Sequence, residues 1–131
     1  MSRSILPLLL VISLLLTACR PPDGGSATTT GAAGVEVEFE LLGAATIDTV
    51  PVRIEIRDQG DPVANAKVEL IGDMTHAGMV PVVTTPEMTD PGVYLANDFR
   101  FTMAGDWFLT ANIELPDGRK ATAYQSLSVS R

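Results

Sequence analysis

Cysteine, histidine and tryptophan each occur once in this chain of 131 residues, as Cys19, His76 and Trp107. A single thiol cannot close a disulfide within the chain, so the fold must stand on its core alone. One imidazole and one thiol also set aside the zinc sites that draw on several such ligands. Positive charge is short as well, with nine Lys and Arg against sixteen Asp and Glu and a net charge of −7. Such a balance supplies no basic face for nucleic-acid phosphates and no electrostatic grip on an anionic bilayer. The apolar run from Ile5 to Leu16 contains Pro7 and falls well short of the roughly 20 residues a membrane-spanning helix needs. Beyond it no segment repeats with the helical period, which leaves strands to build the core.

Leu16-Thr17-Ala18-Cys19 closes the apolar run, and Arg3 precedes it. This resembles a bacterial lipoprotein signal with its lipobox. The resemblance implies a signal peptide over residues 1–18, removed on maturation, and an acylated Cys19, whose two or more chains make a stable anchor where one would not. The expected location is extracytoplasmic, lipid-anchored to a bacterial membrane at the cell surface or in the periplasm. Acylation would consume both the thiol and the amino terminus as metal ligands. From Arg20 to Gly34 no large apolar residue occurs, so residues 19–34 read as the lipidated cysteine and a flexible tether with a span of roughly 20 Å. Residues 35–131 then have the length of one small domain.

In that domain the pattern has period two. Val35, Val37, Phe39 and Leu41 alternate with Glu36, Glu38 and Glu40, and Val50, Val52, Ile54 and Ile56 alternate with Pro51, Arg53, Glu55 and Arg57. Ala66, Val68 and Leu70 continue the scheme, and Phe99, Phe101 and Met103 form a further inward series that places Met103 in the core. Trp107, Leu109, Ala111, Ile113 and Leu115 give the longest regular strand, closed by the turn Pro116-Asp117-Gly118. The final strand, Lys120 to Val129, alternates less cleanly because Gln125 falls in line with Ala123 and Leu127. The spacing predicts an all-β fold, read as an immunoglobulin-like antiparallel β-sandwich of about seven strands with Trp107 in its centre; a transthyretin-like sandwich or a small barrel would give nearly the same pattern.

Three stretches together resemble the YtkA-like, or FixH-like, family of small extracytoplasmic bacterial domains. They are Gly60-Asp61-Pro62-Val63 with Ala66-Lys67-Val68, then Gly72-Asp73-Met74-Thr75-His76-Ala77-Gly78-Met79, then Gly92-Val93-Tyr94 leading to Phe101-Thr102-Met103-Ala104-Gly105-Asp106-Trp107. The likeness covers about Thr49 to Leu115. It implies a YtkA-like β-sandwich over residues 35–131, membrane-tethered, with links to copper handling and to the assembly of copper-dependent respiratory oxidases. The expected partners are the membrane, through the lipid, and a membrane protein or oxidase-assembly protein. The chain departs from the FixH type in carrying a lipid signal where that type has a membrane helix.

Met74, His76 and Met79 crowd into one short segment beside Asp73. Thioether sulfur is a soft ligand suited to Cu(I), and imidazole suits copper in either oxidation state. The expected metal ligands are Met74, His76 and Met79, with Met103 or Met88 as a fourth, and the expected cofactor or cargo is copper as Cu(I). Methionine also fills cores, and a histidine near a strand end is commonly a surface residue. The alternative reading is therefore a metal-free interaction module that docks a membrane or respiratory partner through loops or a sheet edge. No enzyme is expected: Ser126, Ser128 and Ser130 lie in a terminal strand without a nucleophile elbow. Glu36, Glu38, Glu40, Glu55 and Glu69 fall on the outward phase of strands, where a solvated face explains them.

Overall fold

Alternation of β-branched and charged side chains decides which face of each strand is enclosed. The computed structural model describes residues 27–76 and 78–131; Cys19, the signal region 1–18 and the tether up to residue 26 lie outside the described residues. Among the described residues the elements are all strands: β1 (Thr28–Gly31), β2 (Val35–Leu41), β3 (Val52–Asp58), β4 (Asp61–Pro62), β5 (Lys67–Met74), β6 (Val82–Thr84), β7 (Glu87–Asp90), β8 (Val93–Ala96), β9 (Gly105–Glu114) and β10 (Lys120–Val129). They form two antiparallel sheets, in the orders β1-β10-β9-β5-β6 and β2-β3-β8-β7, with β4 beside β3. This is the all-β sandwich that the alternation predicts, with more strands than the expected seven because β1, β4, β6 and β7 are short pieces without an alternating apolar face.

Facing rows close the core. Val52, Ile54 and Ile56 of β3 meet Leu70 of β5, and Trp107, Leu109 and Ala111 of β9, in one enclosed cluster. At the β9–β10 hairpin Gly118 donates its N–H to the Leu115 carbonyl at 2.9 Å and takes φ 87°. That left-handed residue after a turn sets the register in which Trp107 faces Leu127. The segment from Phe99 to Phe101 is not a regular strand; Arg100 alone bridges to Thr49. Phe99 and Phe101 nevertheless point inward, and the Phe101 ring stands edge-on to Trp107 with centroids 5.1 Å apart. Trp107 is fully enclosed, and its indole N–H donates to the Met103 carbonyl at 2.9 Å.

Two expectations are corrected here. The ordered domain begins before Val35: β1 pairs with β10 from Thr28↔Tyr124 to Gly31↔Ala121, and the Ala32 N–H donates to the Lys120 carbonyl at 2.9 Å. The run of threonine, glycine and alanine looked like coil because an outer strand held by backbone hydrogen bonds needs no apolar side chains. Met103 is not a core residue either. It is 48% exposed, because the chain leaves its inward path after Phe101 and spends the Met103 carbonyl on the indole.

Where the chain passes from one sheet to the other, between β4 and β5, a tyrosine of β8 holds it. Tyr94 is buried, donates its hydroxyl to the Val63 carbonyl at 2.7 Å and accepts the Ala66 N–H at 2.9 Å. Burial pushes its phenol above the ordinary value of 10.0, opposed by the hydrogen bond from Ala66. On the outer face of the second sheet Arg53 reaches Glu40 at 3.1 Å and Glu55 at 3.2 Å, and Arg57 also pairs with Glu55. The Arg57 hydrogen bond, helped by Arg53, holds the Glu55 carboxyl below its usual range.

Trp107→Ala should remove the centre of the cluster and cost about 3–5 kcal/mol in chemical denaturation, a large share of a small domain's stability. Near-parental denaturation would mean that the indole is not a core element.

Candidate metal centre

The candidate ligands gather at one end of the sandwich, where β5 ends and β9 begins. Met74 closes β5 on its inward phase and sits directly across from Trp107. His76 follows in the exposed turn beyond the strand. Gly105 opens β9 with φ 132°, and a methyl group placed there would come within 2.8 Å of Met74 Cε and 4.0 Å of His76 Nε2. The missing side chain of Gly105 thus leaves a space that a thioether and an imidazole both border. This convergence is the main feature that sequence reasoning missed. Gly105 read only as a turn before Trp107, since nothing in the spacing shows which side chains a glycine makes room for.

The remaining sulfurs fall into three situations. Met103, two positions before Gly105 in the chain, is 48% exposed and available at the same end. Met79 is partly buried and packs against the core. Met88 is corrected as a possible fourth ligand: its sulfur accepts the backbone N–H of Asn65 at 3.3 Å, beyond the opposite end of β5. At 3.3 Å per residue the length of that strand puts it on the order of 25 Å from Met74. A second correction concerns Met74 itself. It does stand at a strand end, but it is 5% exposed and belongs to the core, whereas ligands at strand ends and loops outside the core are the expectation. The period-two phase of Val68, Leu70 and Gly72 runs on to Met74, so this burial was legible in the sequence.

Both nearby carboxylates are already engaged. Asp73 accepts the Met74 N–H at 2.7 Å, and Asp106 accepts the Ser128 hydroxyl at 2.6 Å. Among the described residues no three His, Cys, Asp or Glu side chains group to hold a metal ion. A metal here would rest on thioether sulfur with one imidazole, a donor set that fits Cu(I) and fits hard or nitrogen-demanding ions poorly. Chemically the end of the sandwich presents a thioether on a core residue and an imidazole on an exposed turn.

Gly105→Ala should displace the Met74 methyl, fill the space that His76 borders and strain a backbone that L residues rarely adopt, with a cost of about 1–3 kcal/mol. Gly118→Ala is the control, because its φ is 87° but nothing lies within 4 Å of the added methyl. Shifts of the Met74 methyl and His76 ring resonances in the first variant and not in the second are the expected result. Unmoved resonances in both would show that the two side chains do not meet at Gly105.

Comparison with known proteins gives one family. The profile of the family described as YtkA-like matches residues 29–112, from β1 into β9. The match begins well before Thr49, the start of the likeness read from motifs. No curated protein matches the chain.

Proposed function

The chain belongs to the YtkA-like family, and from that premise we propose that it is an extracytoplasmic, lipid-anchored copper-binding protein that holds or delivers Cu(I) at the end of its sandwich. The observation that carries the reading is the approach of Met74 and His76 to the space left by Gly105. Met74 supplies a sulfur backed by the core and His76 supplies a nitrogen from the exposed turn. Met103 stands beside Gly105 with its side chain half free, and Met79 lies in the turn that returns the chain toward β6. Thioethers hold the reduced ion and release it without a change of charge on the ligand, which suits a carrier better than thiolates would. Cys19, if acylated, serves as anchor and takes no part in metal binding.

Competition titration of the purified protein against a Cu(I) chelator under reducing conditions tests the site. The parent should extract Cu(I), and Met74→Leu and His76→Ala should each weaken binding by at least tenfold. The triple replacement of Met74, His76 and Met79 should abolish it. Because Met74 is the cross-strand neighbour of Trp107, uptake should also quench tryptophan emission. Loss of binding in Met74→Leu should come with little loss of fold, since leucine conserves apolar volume in the core. If no copper is extracted, or if the triple variant binds as well as the parent, the metal reading is wrong.

The anchor is tested separately. Cys19→Ser should move the protein from the membrane fraction to the soluble fraction, as the lipid is the only attachment proposed. Continued membrane association after signal removal would point to a protein partner that holds the chain instead.

A further inference from the structure

The pole of the sandwich where β5 ends and β9 begins carries exposed apolar side chains on three separate connections. Between β2 and β3 the Leu42 N–H donates to the Pro51 carbonyl at 2.9 Å, one step beyond the Leu41↔Val52 pair. The Ile47 N–H donates to the Ser130 carbonyl at 3.1 Å, one step beyond Val129, the partner of Gly105. Val80 stands two residues ahead of Val82, which pairs with Gly72 near the end of β5. Met103 stands two residues ahead of Gly105. These four side chains are between 41% and 81% exposed, whereas at the opposite end Val63 and Leu115 are buried. Single exposed apolar residues need no explanation, but a group of them at one pole does.

The charges at this pole indicate what covers it. Arg53, Arg57, Lys67 and Arg119 each hold a carboxylate, and among the described residues Arg100, Lys120 and Arg131 make no ion pair. Two of those three stand at the apolar pole. Arg100 is exposed between the inward Phe99 and Phe101 and bridges to Thr49, and Arg131 is exposed just after Ser130. The carboxylates nearby are taken up by the fold: Asp48 accepts the Thr49 N–H at 2.7 Å and Asp98 the Thr84 hydroxyl at 2.9 Å, as Asp73 and Asp106 accept theirs. A net charge of −7 gives the whole molecule no grip on an anionic bilayer, so any such contact has to be local. Unpaired arginines beside exposed aliphatic side chains match the phosphates and the acyl boundary of a lipid surface.

We propose that this pole rests on a phospholipid bilayer, with Leu42, Ile47 and Val80 in the interfacial layer and Arg100 and Arg131 on lipid phosphates. The contact deepens the lipid-anchored reading and rests on it, because three partly inserted side chains and two arginines are weak unless an acyl chain on Cys19 holds the domain at the surface. Their effect is then to set which way the domain faces. Side chains on separate connections suit a fluid surface that conforms to them, where a protein partner would ask for one continuous complementary face. The chain also runs this way, since Ala27 precedes Thr28 on the side of Tyr124 that leads along β10 to Val129. Copper is not needed for the contact.

The test uses the chain from Cys19 onward, the form that signal removal leaves, with one myristoyl maleimide on Cys19, its single thiol. One such chain binds bilayers only marginally and reversibly, so a second contribution reads directly as a change in partition. Because the acyl chain is attached chemically, the result does not depend on acylation in the cell, which the mass of the N-terminal peptide from cell membranes reads separately. On vesicles of phosphatidylcholine and phosphatidylglycerol, Leu42→Ser, Ile47→Ser and Val80→Ser together should weaken partition by about tenfold or more. Arg100→Gln with Arg131→Gln should weaken it several-fold, and raised salt should do the same to the parent. Val83→Ser with Tyr124→Ser, at exposed positions on the outer face of the first sheet, should leave partition unchanged. Should a variant fail to fold, amide hydrogen exchange on the parent decides: vesicles should slow exchange within residues 42–49 and 78–82 and not within residues 59–61 and 117–119. Equal partition of the triple variant, an equal loss in the control, or protection at the opposite end would overturn the proposal. So would self-association of the unlabelled chain that the triple variant abolishes, since the pole would then belong to a second copy.

Discussion

The end of the domain where β5 closes and β9 opens is arranged around the need to enclose Trp107. The indole has to be covered on each side and its N–H has to be satisfied, because an unpaired buried donor costs about 1–3 kcal/mol. Phe101 stands edge-on to it, Met74 and Leu127 flank it across the sheet, and Gly72 keeps the space beside it clear. A methyl on Gly72 would fall 2.4 Å from the Phe99 ring, so the aromatic cluster tolerates no side chain there. The N–H is met by the Met103 carbonyl, and that bond turns the chain outward just before β9. One packing demand therefore places Met74 inside, Met103 outside, and Gly105 between them.

Met74 joins two roles that usually fall on separate residues. Its burial makes it a structural side chain, and the position of its methyl terminus beside Gly105 makes its thioether a candidate ligand. A ligand held by the core arrives in one orientation with its water already removed, which lowers the ordering cost of binding. His76, by contrast, stands on an exposed turn.

Strands with one covered and one wet face could be read from the sequence without difficulty. Val52, Ile54 and Ile56, or Trp107 through Ile113, announce themselves by period. Elements that lack that contrast could not: Thr28–Gly31 and Glu87–Asp90 are mostly exposed on both faces, so their strand character comes from hydrogen bonds, which leave no hydropathy signal. The methionines divided in the same way. Met74 follows the phase of its strand, but the alternation of Phe99 and Phe101 does not carry on to Met103, because a backbone turn decided by the indole intervenes. The break in pattern at Gln125 was visible and was a true sign, since a polar side chain does sit on the inward phase there.

Strand β1 has a consequence for how the domain would sit above a bilayer. It runs antiparallel to β10, with Thr28 opposite Tyr124 and Gly31 opposite Ala121. The chain therefore enters β1 opposite Tyr124, on the side of that residue that leads along β10 to Val129, which pairs with Gly105. The covalent path from Cys19 to Thr28 cannot exceed about 30 Å even at full extension. If Cys19 carries the proposed anchor, that length is the farthest Thr28 can stand from the lipidated residue.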